Sequence, residues 1–161
     1  MGGTTTPDMA RMATRRVRRP KNKEKLFQRL VDDDKVFETY RDTLAFAAAL
    51  GYGKNSRVSF EQSSEPIPWS VFSGAGHEAL VNMISVMSTK DFKILSPERF
   101  EERLLIFEEY ANGGLQILED LLARAERQSL DVVLDLIMES EGVTEPGKEL
   151  EIEKFARDLS W

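Results

Sequence analysis

A chain of 161 residues is long enough for one domain with a substantial hydrophobic core and too short for two well-stabilised domains. No apolar run approaches the roughly 20 residues of a membrane span, no apolar segment follows the arginines near the N-terminus, and the chain has no cysteine. We therefore expect a cytoplasmic protein with no membrane span, secretory signal, disulfide, zinc–thiolate site, iron–sulfur cluster or cysteine nucleophile.

The net charge of −6 is distributed unevenly along the chain. Residues 1–25 carry a net charge of +6, from eight basic and two acidic side chains, whereas residues 26–161 carry −12, from 14 basic and 26 acidic side chains. The pattern predicts a basic arm attached to an acidic body. The basic residues of the arm are Arg11, Arg15, Arg16, Arg18, Arg19, Lys21, Lys23 and Lys25.

The first 20 residues contain mostly small, polar and basic side chains. Because they offer little apolar surface to bury, we expect residues 1–20 to form a flexible arm that is disordered in isolation. Residues 21–161 are expected to form one helical domain, since apolar residues recur in most of its segments at spacings of three and four. Its first predicted helix covers residues 22–31, with Leu26, Phe27 and Leu30 on the apolar face.

A central helix is predicted over residues 35–51. Every residue from Leu44 to Leu50 is apolar, so the second half of this helix should be buried on all sides, with the other helices packed around it. Asp34 is expected to cap its N-terminus, and Gly51 is expected to follow its last turn.

The segment after Gly51 is irregular for about 25 residues. Residues 57–60 are a possible short strand, and the proline-containing stretch that follows should be extended. Ile67, Trp69 and Phe72 have two interpretations. We prefer their burial on the helical body, which would hold the loop in place; the alternative is that they form an exposed site that anchors a partner protein.

Four further helices are predicted before residue 140. Residues 77–89 form the first, with Leu80, Val81, Ile84 and Met87 inward, and residues 97–111 form the second, with Phe100, Leu104, Phe107 and Tyr110 on one stripe. The sequence Asn112-Gly113-Gly114 is expected to end that helix in a sharp reversal, so that residues 115–128 fold back as its antiparallel partner. Residues 130–139 have the most regular helical stripe: Leu130, Val133, Leu134, Ile137 and Met138.

A last helix is predicted from Glu149 onward. It could dock on the body or on another subunit, and the sequence leaves a homo-oligomer open. The fold predicted from these elements is mainly α: a single-domain bundle of about six to seven helices, with a long irregular loop, a possible short strand and a disordered basic arm.

The common catalytic motifs are missing from the sequence. There is no GxxxxGK[ST] phosphate loop, GxGxxG turn, HExxH or GxSxG element, so a non-enzymatic protein without a metal or cofactor is expected. His77 is the only histidine and has no obvious nucleophile to activate. The least favoured alternative is a metal-dependent nuclease built on Asp91, Lys93 and Glu78.

Three segments together resemble a known bacterial family: RRPKNKEKLFQRLV, FETYRDTLAFAAALGY with SSEPIPWSVF, and ERFEERLLIFEEYANGGLQIL. They are similar to the DNA phosphorothioation-associated, or dnd system-associated, small proteins, over about residues 17–122. Such proteins are encoded beside the genes that replace a non-bridging phosphate oxygen of DNA with sulfur. The resemblance implies an accessory role in DNA modification, restriction and phage defence, with DNA and the other proteins of the system as partners.

Physical chemistry narrows that role. Mobilising sulfur needs a cysteine persulfide, and this chain has no cysteine. We therefore expect an accessory protein whose basic arm binds the DNA backbone without reading its sequence, in a salt-dependent manner. One alternative is that the arm lies against an acidic partner or against the acidic residues of its own body. Another is a protein–protein adaptor that docks through residues 66–72 or through the last helix.

Overall fold

Two crossing helices form the centre of the computed structural model, which describes residues 7–142. They are α3 (Tyr40–Gly53) and α6 (Phe100–Arg124), and they make more contacts with each other than any other pair of elements. Seven α-helices occur in the described residues, so the predicted mainly α fold is confirmed. The others are α1 (Pro7–Ala13), α2 (Glu24–Gln28), α4 (Trp69–Gly74), α5 (Glu78–Thr89) and α7 (Ser129–Gly142).

The N-terminal half of the central helix differs from the prediction. Helix α3 begins at Tyr40, and its cap is Thr39, whose side-chain oxygen accepts a hydrogen bond of 3.0 Å from the backbone N–H of Asp42. Asp34 instead follows a π-helical turn, and Lys35 has a φ of 51°. A helix cannot continue through that left-handed residue, which is why the predicted start at residue 35 is wrong.

Burial of α3 is extensive but not complete. Leu44, Ala47 and Ala48 are fully buried in the core, as the apolar run predicts. Ala49 is exposed, however, so the second half of the helix is covered on most sides rather than on all of them. The prediction that other helices pack around this element is confirmed by the contacts of α3 with α5 and α6.

Helix α6 runs without a break through Asn112, Gly113 and Gly114. A Cβ atom on Gly114 would lie 2.9 Å from the Cα of Ala47 and closer still to its carbonyl oxygen, and a Cβ on Gly113 would meet the backbone of Ser56. From the other side, a Cβ on Gly51 would lie 2.9 Å from the backbone nitrogen of Gly114. The glycines therefore allow the two backbones to touch, and the predicted reversal and antiparallel helix pair are wrong.

A two-stranded sheet and an irregular loop lie alongside the middle of α6. Strands β1 (Arg16–Val17) and β2 (Ile67–Pro68) pair in antiparallel register. Of the stretch predicted to be extended, residues 66–69, Ile67 and Pro68 are confirmed, whereas Trp69 begins α4. Residues 57–60 are not a strand; instead, the Val58 N–H donates to the Glu109 carbonyl at 3.0 Å, and the Asn112 side-chain amide donates to the Val58 carbonyl at 3.1 Å. The loop is therefore fixed along α6 by one backbone–backbone and one side chain–backbone hydrogen bond, both to Val58.

The remaining predicted helices have mixed outcomes. The α5 prediction is confirmed, with Val81 and Ile84 buried, and all four predicted stripe residues at the start of α6 are buried. The helix predicted over residues 22–31 is a shorter α2 flanked by a 3₁₀ turn and the π-helical turn. The helix predicted from Glu149 lies outside the described residues. Within residues 7–142, every helix is too short or too polar to span a lipid bilayer.

Candidate functional site

Most of the predicted basic arm belongs to the fold. Val17 is fully buried, and the Trp69 N–H donates to the Arg15 carbonyl at 2.9 Å beside the β1–β2 pair. Further on, the Lys21 N–H donates to the Gln62 carbonyl at 3.0 Å. Residues 16–20 are therefore a packed strand and its continuation, which corrects the predicted flexible arm for this stretch. Residues 1–6 lie outside the described residues.

Arg18 forms the most buried ion pair of this segment. Its backbone N–H and its Nε donate to the two carboxylate oxygens of Glu108, at 2.6 Å and 3.0 Å. The Glu108 side chain is only 5% exposed, whereas that of Arg18 is 33% exposed. The pair thus joins the N-terminal segment to the middle of α6, 90 residues away in sequence. The charge of Arg18 is therefore paired with a carboxylate of the same chain.

Arg19 and Lys23 also form buried polar contacts within the chain. The Arg19 side chain is 6% exposed; it donates to Glu24 at 2.8 Å and lies over the ring of Tyr40 at 4.7 Å. The Lys23 side chain is 4% exposed and donates to Gln116 at 2.6 Å and to Glu119 at 2.9 Å. Neither cation can reach a DNA phosphate without breaking these contacts and exposing the surface beneath them.

The other predicted DNA-binding residues lie nearer the surface. Arg15 pairs with Glu101, and Arg16, whose side chain is 55% exposed, lies 3.6 Å from Glu65. The remaining three of the eight predicted DNA-binding residues are exposed: Arg11, Lys21 and Lys25. The structure therefore does not bring the eight cations together into one basic surface. Most of the eight instead pair with acidic side chains of the same chain, which is the alternative in which the arm lies against its own body.

Burial raises the pKa of the Glu108 carboxyl, and the contacts with Arg18 offset this effect only in part. As the pH rises from about 4.5, the ordinary value for a glutamate, the folded protein therefore loses this proton later than the unfolded chain does. The contribution of Glu108 to the free energy of unfolding is fully present below about pH 4.5. It is lost as the pH rises through the pKa of Glu108 in the folded state.

Glu108→Gln tests this assignment, because glutamine keeps a hydrogen-bond acceptor and removes the titration. We expect the unfolding free energy of the wild type, relative to that of Glu108→Gln, to fall as the pH rises from 4.5. Denaturant titrations of both proteins across that range measure the difference, in which the other carboxylates cancel. A difference that grows with pH would mean that the Arg18 pairing outweighs burial.

Another buried cation lies at the start of α6. Arg103 is 4% exposed, donates to the Ile94 carbonyl at 3.1 Å, and lies 5.3 Å from the centre of the Phe100 ring. Burial lowers its pKa. This arginine joins the 3₁₀ turn Phe92–Leu95 to α6.

The aromatic residues of the predicted partner-binding segment lie in the core. Trp69 is 4% exposed and meets Phe100 edge-on at 5.0 Å, while Phe72 is fully buried against Phe107 at 5.8 Å. Ile67 is half-buried in β2. These residues therefore follow the preferred interpretation, burial on the helical body. Trp69 and Phe72 are not an exposed anchor for a partner.

The acidic residues considered for a nuclease do not form a metal centre in residues 7–142, where no group of three or more acidic or histidine side chains could hold an ion. Asp91 instead caps a 3₁₀ turn: its oxygens accept from the Lys93 N–H and from Arg99, both at 2.9 Å. These two contacts lower its pKa. His77 lies 3.2 Å from the Asp42 carboxylate, at the start of α5.

Helix α7 presents an apolar face to solvent. Val132 and Val133 are buried against the body, whereas four large side chains on another side of the helix are exposed. Their exposed fractions are 46% for Leu130, 45% for Leu134, 38% for Ile137 and 67% for Met138. Of the regular stripe noted in the sequence, only Val133 is buried. The sequence signal for this arrangement is a second apolar row, formed by Val132 and Leu136.

An open groove adjoins this face. It has a volume of about 410 Å³ and lies between α3 and the C-terminal half of α7. Phe46 and Leu50 line one side, and Leu136 and Ile137 line the other. A volume of this size is in the range of ligand and peptide pockets, ~300–1,000 Å³. The groove and the exposed side chains together form what we call the α7 face: Leu130, Leu134, Ile137, Met138 and the groove to α3.

The described residues thus define a helical protein that exposes an apolar face on α7. Residues 16–155 match the family model of DNA sulphur modification system-associated protein 4. Because the match covers most of the chain, the protein belongs to that family, and the predicted resemblance is confirmed. The matched region includes β1 and all of α7. No curated protein and no solved structure matches the chain significantly.

Proposed function

We propose that this chain is a non-enzymatic accessory protein of a DNA sulphur modification system, and that it acts in the cytoplasm by binding another protein of that system. The observation that carries the proposal is the α7 face. Contiguous exposed apolar side chains are typical of protein–protein interaction sites. Family membership supports the association with the modification system.

The distribution of charge favours a protein partner over DNA. Arg18, Arg19 and Lys23 are neutralised by acidic or polar groups of the same chain, and residues 26–161 carry a net charge of −12. An acidic body repels the phosphate backbone, so any attraction to DNA must come from a few exposed cations.

DNA contact stays a second candidate because four basic residues of the N-terminal segment are exposed. They are Arg11, Arg16, Lys21 and Lys25. If all four contacted phosphates, the logarithm of the binding constant would fall with the logarithm of the salt concentration with a slope of roughly −4. Such binding would be weak at physiological salt and indifferent to sequence.

Co-expression separates these two candidates. The full chain, tagged, is co-expressed with the proteins of its modification system, and duplex-DNA binding of the purified chain is measured across a salt series. We expect one of the system's proteins to co-purify, both with the wild type and with the variant Lys21→Glu/Lys25→Glu. If no protein co-purifies, while duplex binding is strong and lost in that variant, the DNA candidate replaces the adaptor.

A further inference from the structure

We propose that the α7 face is a docking site for an amphipathic helix of a partner protein, and that the helix carries basic residues beside its apolar stripe. The inference rests on the proposed function and adds the surface and the chemistry of the partner. It depends on two features of α7: the spacing of its exposed apolar side chains and the sign of the charges beside them.

The spacing fits a helical partner. Leu130, Leu134 and Ile137 follow one another at intervals of four and three residues, so they form one row along the helix, with Met138 beside it. The groove to α3 continues this row and is open to solvent. A row of apolar side chains next to a groove is the geometry that receives an amphipathic helix, whose own apolar residues recur at the same spacing.

The charges on α7 are all negative. The helix contains four acidic side chains and no basic one: Asp131, Asp135, Glu139 and Glu141. Two nearby cations offset part of this charge, since Arg127 lies 2.5 Å from Asp135 and Lys54 lies 3.8 Å from Glu139. All four of those side chains are about half exposed, so these pairs are weak and readily exchanged. A partner with lysines or arginines beside its apolar stripe would complement this surface.

Two other occupants fit less well. A second copy of the chain docked about a two-fold axis would place α7 against α7, and their acidic residues would repel. The chain's own residues 149–161 have an apolar spacing but carry four acidic and two basic side chains, so they do not supply the basic flanks. Charge complementarity therefore selects a separate, basic partner.

Synthetic peptides provide the direct test. The probe is an amphipathic helical peptide of about 18 residues, five helical turns, with leucines on one face and lysines flanking them. One control peptide has glutamate in place of every lysine, and another has the same composition in shuffled order. Fluorescence anisotropy with the full chain should show binding of the lysine peptide at least about tenfold tighter than that of either control.

Single substitutions then locate the site. Leu134→Asp places a charge in the middle of the α7 face and should weaken binding of the lysine peptide at least about tenfold. Met83→Asp is the matched control: Met83 is 59% exposed on α5, outside the α7 face, so its substitution should leave the affinity unchanged. Asp131→Lys should reduce the preference for the lysine peptide over the glutamate peptide. Circular dichroism confirms that each variant is folded.

Several outcomes would overturn the proposal. Equal affinity for the lysine and glutamate peptides, no binding up to about 1 mM, or no effect of Leu134→Asp would each exclude this docking mode. A wild-type dimer that Leu134→Asp dissociates in sedimentation experiments would identify a second copy as the occupant. Binding that appears only after Ile152→Asp and Phe155→Asp would identify the chain's own C-terminal residues.

The proposed function and this docking site can fail separately. If a protein of the system co-purifies equally well with the wild type and with Leu134→Asp, the adaptor role stands and the α7 site is excluded. If no protein of the system co-purifies, yet the lysine peptide binds at the α7 face as described, the site stands and its assignment to this system is excluded.

Discussion

Replacing Gly114 with alanine should destabilise the protein by about 3 kcal/mol, a large fraction of the stability of a typical domain. The added Cβ would overlap the backbone of Ala47, at the point where α3 and α6 cross. A flexible side chain could move aside at little cost, but here the obstacle is the carbonyl group of another helix. The two helices would have to separate, and the buried contacts around the crossing would loosen.

Gly53→Ala is the matched control for this prediction. Gly53 is the last residue of α3, and a Cβ there meets nothing within 4 Å. Alanine costs less conformational entropy than glycine, so this variant should be unchanged or more stable by up to about 1 kcal/mol. Denaturant unfolding followed by far-ultraviolet circular dichroism measures both variants. Equal stability of Gly114→Ala and Gly53→Ala would show that α3 and α6 do not touch at these glycines.

The glycine pair shows what sequence patterns can and cannot establish. The positions of Phe100, Leu104 and Phe107 on one helical stripe are a local property, and the structure buries all three. Gly113 and Gly114, in contrast, are compatible both with a helix end and with a close approach of two backbones. The choice between these depends on Ala47 and Ser56, which are distant in sequence, so local patterns do not decide it.

The charge pattern has a similar ambiguity. Counting charges correctly identifies a basic segment and an acidic remainder, but it does not say whether the cations face solvent or their own body. Arg18 meets Glu108 only because β1 is paired with β2 alongside α6. The charge count alone therefore predicts attraction to a polyanion. In the folded chain, however, much of the positive charge of this segment is paired with carboxylates of the same chain.

The same ambiguity applies to the apolar pattern of helix α7 at the candidate site. Its periodicity correctly predicts a helix, but the helix has two apolar rows, and periodicity does not say which row the body covers. The body covers Val132 and Val133 and leaves Leu134 and Met138 exposed. Of the stripe with the more regular spacing, all members except Val133 are therefore exposed.

Trp69→Ala should lower the free energy of unfolding by about 3–5 kcal/mol. The side chain is 4% exposed, its ring stacks at 6.4 Å on that of Phe72, and it meets Phe100 edge-on at 5.0 Å. Its removal would leave a large cavity between α4 and α6, and neighbouring helices that are fixed by their own packing cannot fill it. Thermal and denaturant unfolding both report the loss.

Val71→Ala separates burial of Trp69 from a role in binding. Val71 lies two residues away on the same helix and is 39% exposed, so its truncation should cost less than about 1 kcal/mol. A Trp69→Ala variant as stable as Val71→Ala, with weaker binding to a protein of the modification system, would make Trp69 a surface anchor after all. The stacked rings instead place its contribution in the core, whereas the side chains proposed to meet a partner, those of the α7 face, are exposed.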